Sequence, residues 1–445
     1  MQPAKSQIVR WYETSFEGFE KTLNGERSSE FHALRKHAIA AFSGMGFPTT
    51  HHEEWRFTNI APITNISFQP VLRPPSHAAL RDRIRPYFLE GAFRLVFLDG
   101  HFVQDLSQTA NLPRGLTLAS LSAALHGRPD EVRPVLSRVL QTNENAFTAL
   151  NTAFMRDGAF VKVADRALIG RPIQLLFVAH GADTPSLIQP RNVVIGGDGS
   201  RFSLVEMYVG LGDTTYLTNT VTEIALGAEA HLEHDRLQEE SAGAFHVGSQ
   251  QVRLLKGGTF ASNSISLGGS IVRNTIGVVL EGEGVECTLN GLSLATGTQL
   301  MDSHTTIDHA KPHCTSHELY KAILNGHSRG VFNGKIYVRK DAQKTDAKQT
   351  NKTLLLSDDA TIDTKPQLEI FADDVKCTHG ATVGQLDGDQ IFYLRSRGIG
   401  EVEARDILTY AFASDVVDRV NVEALRVRLE SLVRARLDRS GKRTD

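Results

Sequence analysis

Several common catalytic and targeting motifs are absent from this sequence, and each absence argues against one class of function. No Gly-x4-Gly-Lys-Ser/Thr loop occurs, so we do not expect the chain to hydrolyse ATP by itself. No Gly-x-Gly-x-x-Gly motif follows a predicted strand, which argues against a dinucleotide-binding domain. The first ten residues lack the apolar core of a signal peptide, and no uncharged apolar run approaches the roughly 18 residues of a membrane helix. We therefore expect a cytoplasmic protein with no membrane segment.

The sequence also has few cysteines and a small net charge. Three cysteines (Cys287, Cys314 and Cys377) in 445 residues do not make a disulfide framework. No Cys-x-x-Cys pair occurs, so spacing alone indicates neither a structural zinc site nor a conventional iron–sulfur site. A net charge of −3 argues against binding to nucleic acid or to an anionic membrane. The hydrophobic content of 41% is enough for a globular core in two or three domains.

The first part of the chain predicts a mostly helical N-terminal domain at 1–160. Two opening helices are indicated by apolar residues at helical spacing: Ile8, Trp11, Tyr12, Phe16 and Phe19, then Phe31, Leu34, Ala38 and Phe42. A hairpin is predicted to turn at Asp99 and Gly100. Further helical patterns lie around 117–126 and 143–156.

From about residue 160 the pattern changes to short alternating runs separated by Gly, Asn and Asp, which predicts a β domain at 161–390. Gly199, Gly227, Gly257 and Gly284 recur at intervals of 28, 30 and 27 residues, and three of them precede a leucine by five residues. A repeat of this length favours a β-solenoid, whose coils bury their apolar faces against one another. A sandwich or barrel is the alternative that the pattern leaves open.

Beyond residue 390 the pattern is helical again, which predicts a C-terminal helical domain at 391–445. One helix follows Gly398 and Gly400, and a final helix follows Asn421 as its N-cap. Their apolar stripes comprise Ala404, Ile407, Leu408, Ala411 and Phe412 in the first, and Val422, Leu425, Leu429, Leu432 and Val433 in the second.

Two groups of side chains are candidate metal ligands. The denser group has four histidines and a cysteine within 14 residues: His304, His309, His313, Cys314 and His317. The histidine spacings of 5, 4 and 4 fit neither one strand face nor a known zinc loop, so polar packing is the alternative reading.

The second group is Cys377 and His379, which share one face if the segment is extended. Two ligands cannot saturate an iron ion or a cluster, so a site here needs a second chain to complete it. Burial of both side chains in a solenoid core is the alternative.

Several longer runs resemble the SufB/SufD family of the SUF iron–sulfur cluster assembly system. The resemblance is concentrated in 301–412, in the runs 306–320, 328–338, 341–351, 354–360, 368–384 and 390–399. It extends more loosely into the N-terminal half. Glu-Trp-Arg-Phe-Thr at 54–58 and Pro-His-Cys-Thr at 312–315 favour the SufD branch over its paralogue SufB.

The resemblance implies a mainly β fold, with a right-handed parallel β-helix between the two helical domains. It implies pairing with SufB through the ends of the β-helices, and docking of the ABC-type ATPase SufC on the C-terminal helices. The family's motif histidine is His379 here, and Cys377 matches the neighbouring motif cysteine. The docking surface is predicted to comprise Phe392, Tyr393, Ile399, Ala404, Ile407, Leu408, Ala411 and Phe412.

The function that this resemblance implies is a non-catalytic scaffold on which an iron–sulfur cluster forms transiently, at the interface with SufB. It also implies a reduced flavin in the complex, although no flavin contact is assigned to this chain and no cofactor is expected to bind it tightly. Three alternatives stay open: a SufB-type paralogue, a stand-alone metal-binding β-helix protein, and a β-helix enzyme acting on polysaccharide. Whether the isolated chain forms homodimers is also open.

Overall fold

The fold is described by a computed structural model that covers residues 6–23, 29–181 and 184–441. The first five residues and 24–28 of the predicted N-terminal domain lie outside the described residues, as do the last four residues of the predicted C-terminal domain.

Most of the strands lie in the middle of the chain and are about ten residues long. In chain order they are β1 (Gln69–Pro70), β2 (Phe93–Leu98), β3 (His101–Phe102), β4 (Leu116–Ser120), β5 (Ala159–Val163), β6 (Ile173–Ala179), β7 (Ser186–Ile188), β8 (Arg191–Gly196), β9 (Arg201–Gly210), β10 (Tyr216–Leu226), β11 (His231–Glu239), β12 (Phe245–Leu254), β13 (Thr259–Ser266), β14 (Ile271–Leu280), β15 (Glu286–Ala295), β16 (Leu300–His309), β17 (Thr315–Leu324), β18 (Arg329–Val338), β19 (Asp346–Leu355), β20 (Thr361–Ile370) and β21 (Lys376–Gly384).

The α-helices lie at the two ends of the chain. They are α1 (Gln7–Glu20), α2 (Glu30–Met45), α3 (Ala61–Thr64), α4 (Arg81–Ile84), α5 (Leu121–Gly127), α6 (Pro129–Val132), α7 (Ala146–Ala153), α8 (Gly388–Ser396), α9 (Glu401–Val417) and α10 (Glu423–Gly441).

Strands β8 to β21 form a parallel β-solenoid in which consecutive strands alternate between two sheets. One sheet contains the odd-numbered strands and ends at β21, while the other contains the even-numbered strands and ends at β20. Each strand pairs in parallel with the strand two places further along the chain. The predicted mainly β fold with a β-solenoid core between helical ends is therefore confirmed, and the solenoid has about eight turns. The sandwich and barrel alternatives are wrong.

The length of a coil matches the interval found in the sequence. The leucines that follow the repeated glycines, however, are not in register with one another. Successive in-register positions are His231, Thr259, Glu286, Thr315, Asp346 and Lys376, at intervals of 28, 27, 29, 31 and 30 residues. Leu204 pairs with His234 and not with Leu232, which pairs with Phe202. Gly199 lies two residues before β9, whereas Gly227 lies four residues before β11. The fifth residue after each glycine therefore occupies a different register position in the sheet.

Similar apolar side chains stack in columns between the two sheets. Phe202, Leu232 and Phe260 are in register in one sheet, and Val252 and Val278 are in register in the other. All five are buried in one core cluster. Burial of this apolar surface, repeated from coil to coil, is the main term that favours the folded solenoid.

The N-terminal helices pack on the outer face of the even-numbered sheet. Their core includes Tyr12 and Phe154 and continues into solenoid residues such as Phe245. A buried ion pair between Arg191 and Glu223, with a nitrogen–oxygen distance of 2.5 Å and both side chains fully buried, adds a polar connection. Glu223 also accepts hydrogen bonds from the backbone N–H groups of Ser137, Val139 and Leu140.

Two helical predictions in this domain need correction. The pattern at 117–126 begins as strand β4, which pairs antiparallel with β5, and α5 starts only at Leu121. A short apolar run does not distinguish helix from strand, and pairing with β5 decides it here. The pattern at 143–156 forms the shorter helix α7. The predicted hairpin is confirmed, since Asp99 and Gly100 turn with φ values of 46° and 82° between β2 and β3.

The C-terminal helices cover part of the odd-numbered sheet. Val417, Leu425 and Leu429 belong to the same core cluster as Leu237 and Ile265 of the solenoid. No helix among the described residues is long and apolar enough to cross a membrane. The predicted domain boundaries stay predictions: residue 160 lies within β5, and residue 390 lies within α8.

Candidate functional site at the open end of the solenoid

The segment that contains Cys377 and His379 is a strand, as the sequence predicted. In β21, Cys377 is in register with Ala347 of β19, and His379 is in register with Gln349. Ala347 and Gln349 are both buried, at 0% and 1% exposure. Because side chains alternate along a strand, Cys377 and His379 lie on the face that points into the core one coil earlier.

The solenoid ends at this strand, which leaves its inner face uncovered. Strands β20 and β21 are the last strands of their sheets among the described residues. His379 and the rest of the strand to Gly384 are exposed, and Cys377 is half-buried. An uncovered sheet edge and inner face can accept another chain.

The Cys377 side chain is partly packed in the apolar core and partly exposed to solvent. It packs against a small apolar cluster that includes Ile336, Val338 and Ala347. Burial raises the pKa of the Cys377 thiol above its ordinary value. The thiol is therefore protonated at neutral pH in the isolated chain, and a metal ion or a positive partner group would favour the thiolate form.

The histidine-rich group from 304 to 317 is scattered over the solenoid. His309 faces inward with Nε2 at 2.9 Å from the Ser316 hydroxyl, whereas His313 lies on a turn with a φ of 59° and is exposed. The buried Cys314 thiol donates to the Gly282 carbonyl oxygen at 3.2 Å, and His317 is exposed on β17.

His304 lies on the outer face of β16, in a cleft of about 780 Å³ between the solenoid and the N-terminal domain. Its ring nitrogens are 3.0 Å from Asp302 and 3.4 Å from Glu54. Burial lowers the pKa of His304, but the charge of Asp302 and the hydrogen bonds with Asp302 and Glu54 together raise the pKa above its ordinary value. Nowhere among the described residues are three His, Cys, Asp or Glu side chains grouped so that they could hold a metal ion.

Comparison with known proteins identifies the family. The family model for the SUF system FeS cluster assembly SufBD core domain matches residues 177–412, and the model for the SufBD protein N-terminal region matches residues 6–175. The chain belongs to the SufBD family. It is thus a SufBD-type iron–sulfur cluster assembly protein.

Relatives of SufBD type match over nearly their whole length. An iron–sulfur cluster assembly SufBD family protein of Synechocystis is 32% identical, covering 93% of each chain. The iron–sulfur cluster assembly protein SufD of Escherichia coli is 32% identical, covering 88% of this chain and 90% of its own. The chloroplastic protein ABCI7 of Arabidopsis thaliana is 30% identical, covering 91% and 86%.

The two SufBD matches correspond to distinct parts of the structure. They meet inside β6, and the core match ends within α9. The candidate strand β21 lies near the end of the core match, and α10 lies beyond it.

The docking surface predicted for the C-terminal helices of this SufBD protein is only partly accessible. Phe392 and Tyr393 on α8 are 73% and 57% exposed, and Ile407 on α9 is 41% exposed. Ala411 is also exposed, while Ile399, Leu408 and Phe412 are half-buried. Ala404 is fully buried, so it cannot contact a partner directly.

One motif was missed from the sequence. Gly326, Ser328 and Gly330 have the Gly-x-Ser-x-Gly spacing of a hydrolase nucleophile elbow. Ser328 is fully buried in the turn before β18, where its hydroxyl accepts from the Asn325 N–H at 3.0 Å and donates to the Ala295 carbonyl at 3.3 Å. The serine therefore stabilises a turn and is not placed as a nucleophile.

Proposed function

We propose that this chain is a SufD-type scaffold subunit that forms half of a transient cluster site. A SufB-type chain covers the open end of the solenoid, and the SufC ATPase docks on the C-terminal helices. The observation that carries the proposal is the uncovered inner face of β21, which presents His379 beside the half-buried Cys377.

The chemistry of two ligands supports a site shared between chains. An imidazole and a thiol leave an iron atom or a cluster with open positions, which ligands from a second chain can fill. A scaffold must also hand its cluster on, so four thiolates from one chain would hold it too tightly. Movement of one chain against the other opens such a shared site, and ATP hydrolysis by SufC would drive that movement. The proposed role is therefore that of a ligand donor and lever without catalytic activity of its own.

The ligand role is tested with His379→Ala in a complex reconstituted from this chain, SufB and SufC. We expect the complex to assemble normally, as measured by size-exclusion chromatography, and to lose bound iron and acid-labile sulfide. Thr378→Ala is the matched control, because Thr378 is exposed next to His379 and lies on the opposite face of the strand. Unchanged cluster content in the His379→Ala complex would show that the proposed role is wrong.

Cys377→Ala separates ligation from packing. Alanine already occupies the equivalent position 347 one coil earlier, so the substitution fits the same inner face. If Cys377 is a ligand, cluster content falls although the free energy of unfolding changes little. If Cys377 only packs, cluster content stays at the wild-type level.

The docking role of the C-terminal helices is tested with Phe392→Ala combined with Tyr393→Ala. Removal of 391–445 is a poor test, because α9 and α10 bury part of the solenoid surface. We expect the double variant to lose SufC and to retain SufB in co-purification. Val427→Ala, which also removes an exposed apolar side chain (52% exposed) but on α10, is the control. Retention of SufC by the double variant would contradict the docking assignment.

The alternatives give different results in simple measurements. A SufB-type paralogue would co-purify with a SufD-type chain instead of a SufB-type chain. A stand-alone metal-binding protein would carry stoichiometric, tightly bound metal when purified alone. The mass of the isolated chain in solution decides whether it forms homodimers, and flavin analysis of the whole complex tests for the reduced flavin.

A further inference from the structure

Gln349 and His379 are neighbours on the inner face of the odd-numbered sheet. They are in register on β19 and β21, the last two strands of that sheet among the described residues. Neighbouring strands of a sheet are about 4.8 Å apart, and the side chains of paired residues point to the same face. The Gln349 side chain is therefore the polar group next to the proposed ligand, one coil further into the solenoid. It is buried, whereas the imidazole is exposed.

The Gln349 amide is held in one orientation by Glu318. Its Nε2 group donates to Glu318 Oε2 at 2.6 Å, and both residues are nearly fully buried. Above its pKa of about 7, Glu318 is an ionised carboxylate that can only accept hydrogen bonds, so the NH2 end of the amide faces it. Gly334 of the opposite sheet leaves room for this arrangement, because a Cβ there would lie 2.4 Å from Gln349 Nε2. The carbonyl end of the amide is left for another contact.

The side-chain carbonyl oxygen of Gln349 is an unused acceptor. Gln349 Oε1 is buried and has no hydrogen-bond partner within the described part of the chain. Buried polar groups of folded proteins nearly always have a partner, because an unpaired group has lost its hydration without compensation. A donor that reaches Gln349 Oε1 therefore gains a favourable contact.

His379 is placed to supply that donor. The inner-face positions of β21 nearest to Gln349 are Cys377, His379 and Ala381. Of these three side chains, the imidazole carries the N–H group. The last coil of the opposite sheet has Pro366 next to Gly334, and proline offers no N–H to compete for the acceptor. Exposed side chains change rotamer within nanoseconds, so the imidazole can turn onto the amide.

We propose that Gln349 is a positioning residue for the iron ligand His379. Gln349 Oε1 accepts a hydrogen bond from one ring nitrogen of His379, and the other ring nitrogen carries the lone pair that binds iron. Histidines that bind metal ions usually donate their second N–H in this way, which fixes the tautomer and the direction of the ring. The inference rests on the proposed function and adds to it the residue that orients the ligand.

An amide at this position suits a site that has to release its cluster. A carboxylate that accepts from the imidazole N–H makes the ring a more basic and stronger ligand. A neutral amide carbonyl is a weaker acceptor than a carboxylate, so it orients the ring with less gain in ligand strength. Glu318, which is charged, lies one coil deeper and acts on His379 only through the amide of Gln349.

The contact is tested first in a high-resolution crystal structure of the reconstituted complex. We expect one ring nitrogen of His379 to lie within about 2.7–3.2 Å of Gln349 Oε1, with Gln349 Nε2 still bonded to Glu318. An imidazole turned away from the amide, or a Gln349 Oε1 that is bonded to another group, would overturn the proposal.

The effect on the ligand is tested by competition for iron between the complex and a chelator at pH 8, where Glu318 is ionised. Gln349→Met keeps the length of the side chain but removes the acceptor. We expect iron affinity to fall about 10–100-fold, as it does when other metal-binding histidines lose such a partner, while the complex still assembles. Gln250→Met makes the same change at a buried glutamine on β12, far from the open end, and should leave iron affinity unchanged.

A double variant separates positioning from packing. Glu318→Gln combined with Gln349→Glu exchanges the two side chains, so the amide at position 318 can donate to the carboxylate at position 349. The second carboxylate oxygen then takes the place of Gln349 Oε1. We expect iron affinity several-fold above that of the wild type, which a purely structural role of Gln349 would not produce. An affinity as low as that of Gln349→Met would overturn the proposal.

His379→Ala in the same assay distinguishes failure of this inference from failure of the proposed function. If His379→Ala loses iron and Gln349→Met keeps the wild-type affinity, His379 is a ligand that Gln349 does not position. If neither variant loses iron, the ligand role and the positioning role are both wrong. If Gln349→Met does not fold, the crystal structure and the double variant still decide.

Discussion

His379 occupies on the last strand the position that Gln349 occupies one coil earlier. Gln349 is 1% exposed because β21 covers it, whereas His379 is exposed because no further coil follows among the described residues. The same inward-facing position of the sheet is thus buried in one coil and exposed in the next. A chain that covers this end would bury His379 much as β21 buries Gln349.

Cysteine labelling should report whether the open end is covered. Cys287 and Cys314 are buried, and burial raises the pKa of both thiols, whereas Cys377 is half-buried. We expect iodoacetamide to modify Cys377 in the native isolated chain and to leave the other two unmodified, as measured by mass spectrometry. In the complex, Cys377 should be protected as well. Rapid labelling of Cys287 in the native chain would contradict the buried position assigned to it.

The Arg191–Glu223 pair should be important for stability. Glu223→Gln removes the charge that faces Arg191 in a fully buried site. Removing one partner of a buried pair typically costs about 3–5 kcal/mol, and we expect a loss of this size in the free energy of unfolding by urea. Arg253→Met breaks the more exposed Arg253–Glu281 pair and should cost about 1 kcal/mol or less. Equal effects of the two substitutions would be inconsistent with this difference in burial.

Glu318 should make stability depend on pH. Burial raises the pKa of Glu318 from 4.5 to about 7, although hydrogen bonds with Gln349 and Thr305 partly oppose the shift. A carboxyl whose pKa is higher in the folded chain favours folding below pH 4.5, and this contribution is lost as the pH rises to about 7.

Glu318→Gln removes this dependence. Relative to the wild type, the free energy of unfolding of the variant should increase between pH 4.5 and 7 by up to about 3 kcal/mol. Parallel pH profiles of the two proteins in urea unfolding would show that the pKa of Glu318 is not raised in the folded chain.

The contact between α10 and the solenoid should contribute strongly to stability. Leu429 is fully buried in a core that it shares with Leu237 and Ile265. Leu429→Ala should lower the free energy of unfolding by about 2–5 kcal/mol, because it removes buried apolar surface and leaves a cavity. Val427→Ala, on the exposed side of α10, should change it by about 0.5 kcal/mol or less. A small effect at Leu429 would mean that α10 is only loosely attached.

Local patterns were sufficient to predict the class of each part of the chain. The alternating runs after residue 160 predicted strands, and the interval of about 28 residues predicted coils, because both follow from side-chain spacing. The family motifs identified Cys377 and His379 as candidates. Local patterns and motifs could not predict that β4 pairs with β5, or that Ala404 is buried, because both depend on residues that are distant in the sequence.

The polar side chains that point into the solenoid gave no signal that could be read from one strand. Gln349 and Asn351 are polar residues at alternate positions of β19, a pattern that ordinarily predicts a solvent-exposed face, and Glu318 of β17 is in register with Gln349. Only the stacking of coils shows that this face points inward, with Gly334 in the opposite sheet leaving room for a long side chain.

The sequence by itself determined the strand-rich middle, the helical ends and the pair of candidate ligands, and it favoured a solenoid over a sandwich or barrel, since spacing and motifs are properties of neighbouring residues. The tertiary structure alone decided which of these residues are accessible. Gln349 and His379 hold equivalent positions in adjacent coils. Gln349 is buried because β21 covers it, and His379 is exposed because no further coil follows β21 among the described residues. Exposure at the end of a stack depends on which coil is last, and no local pattern in the chain encodes that.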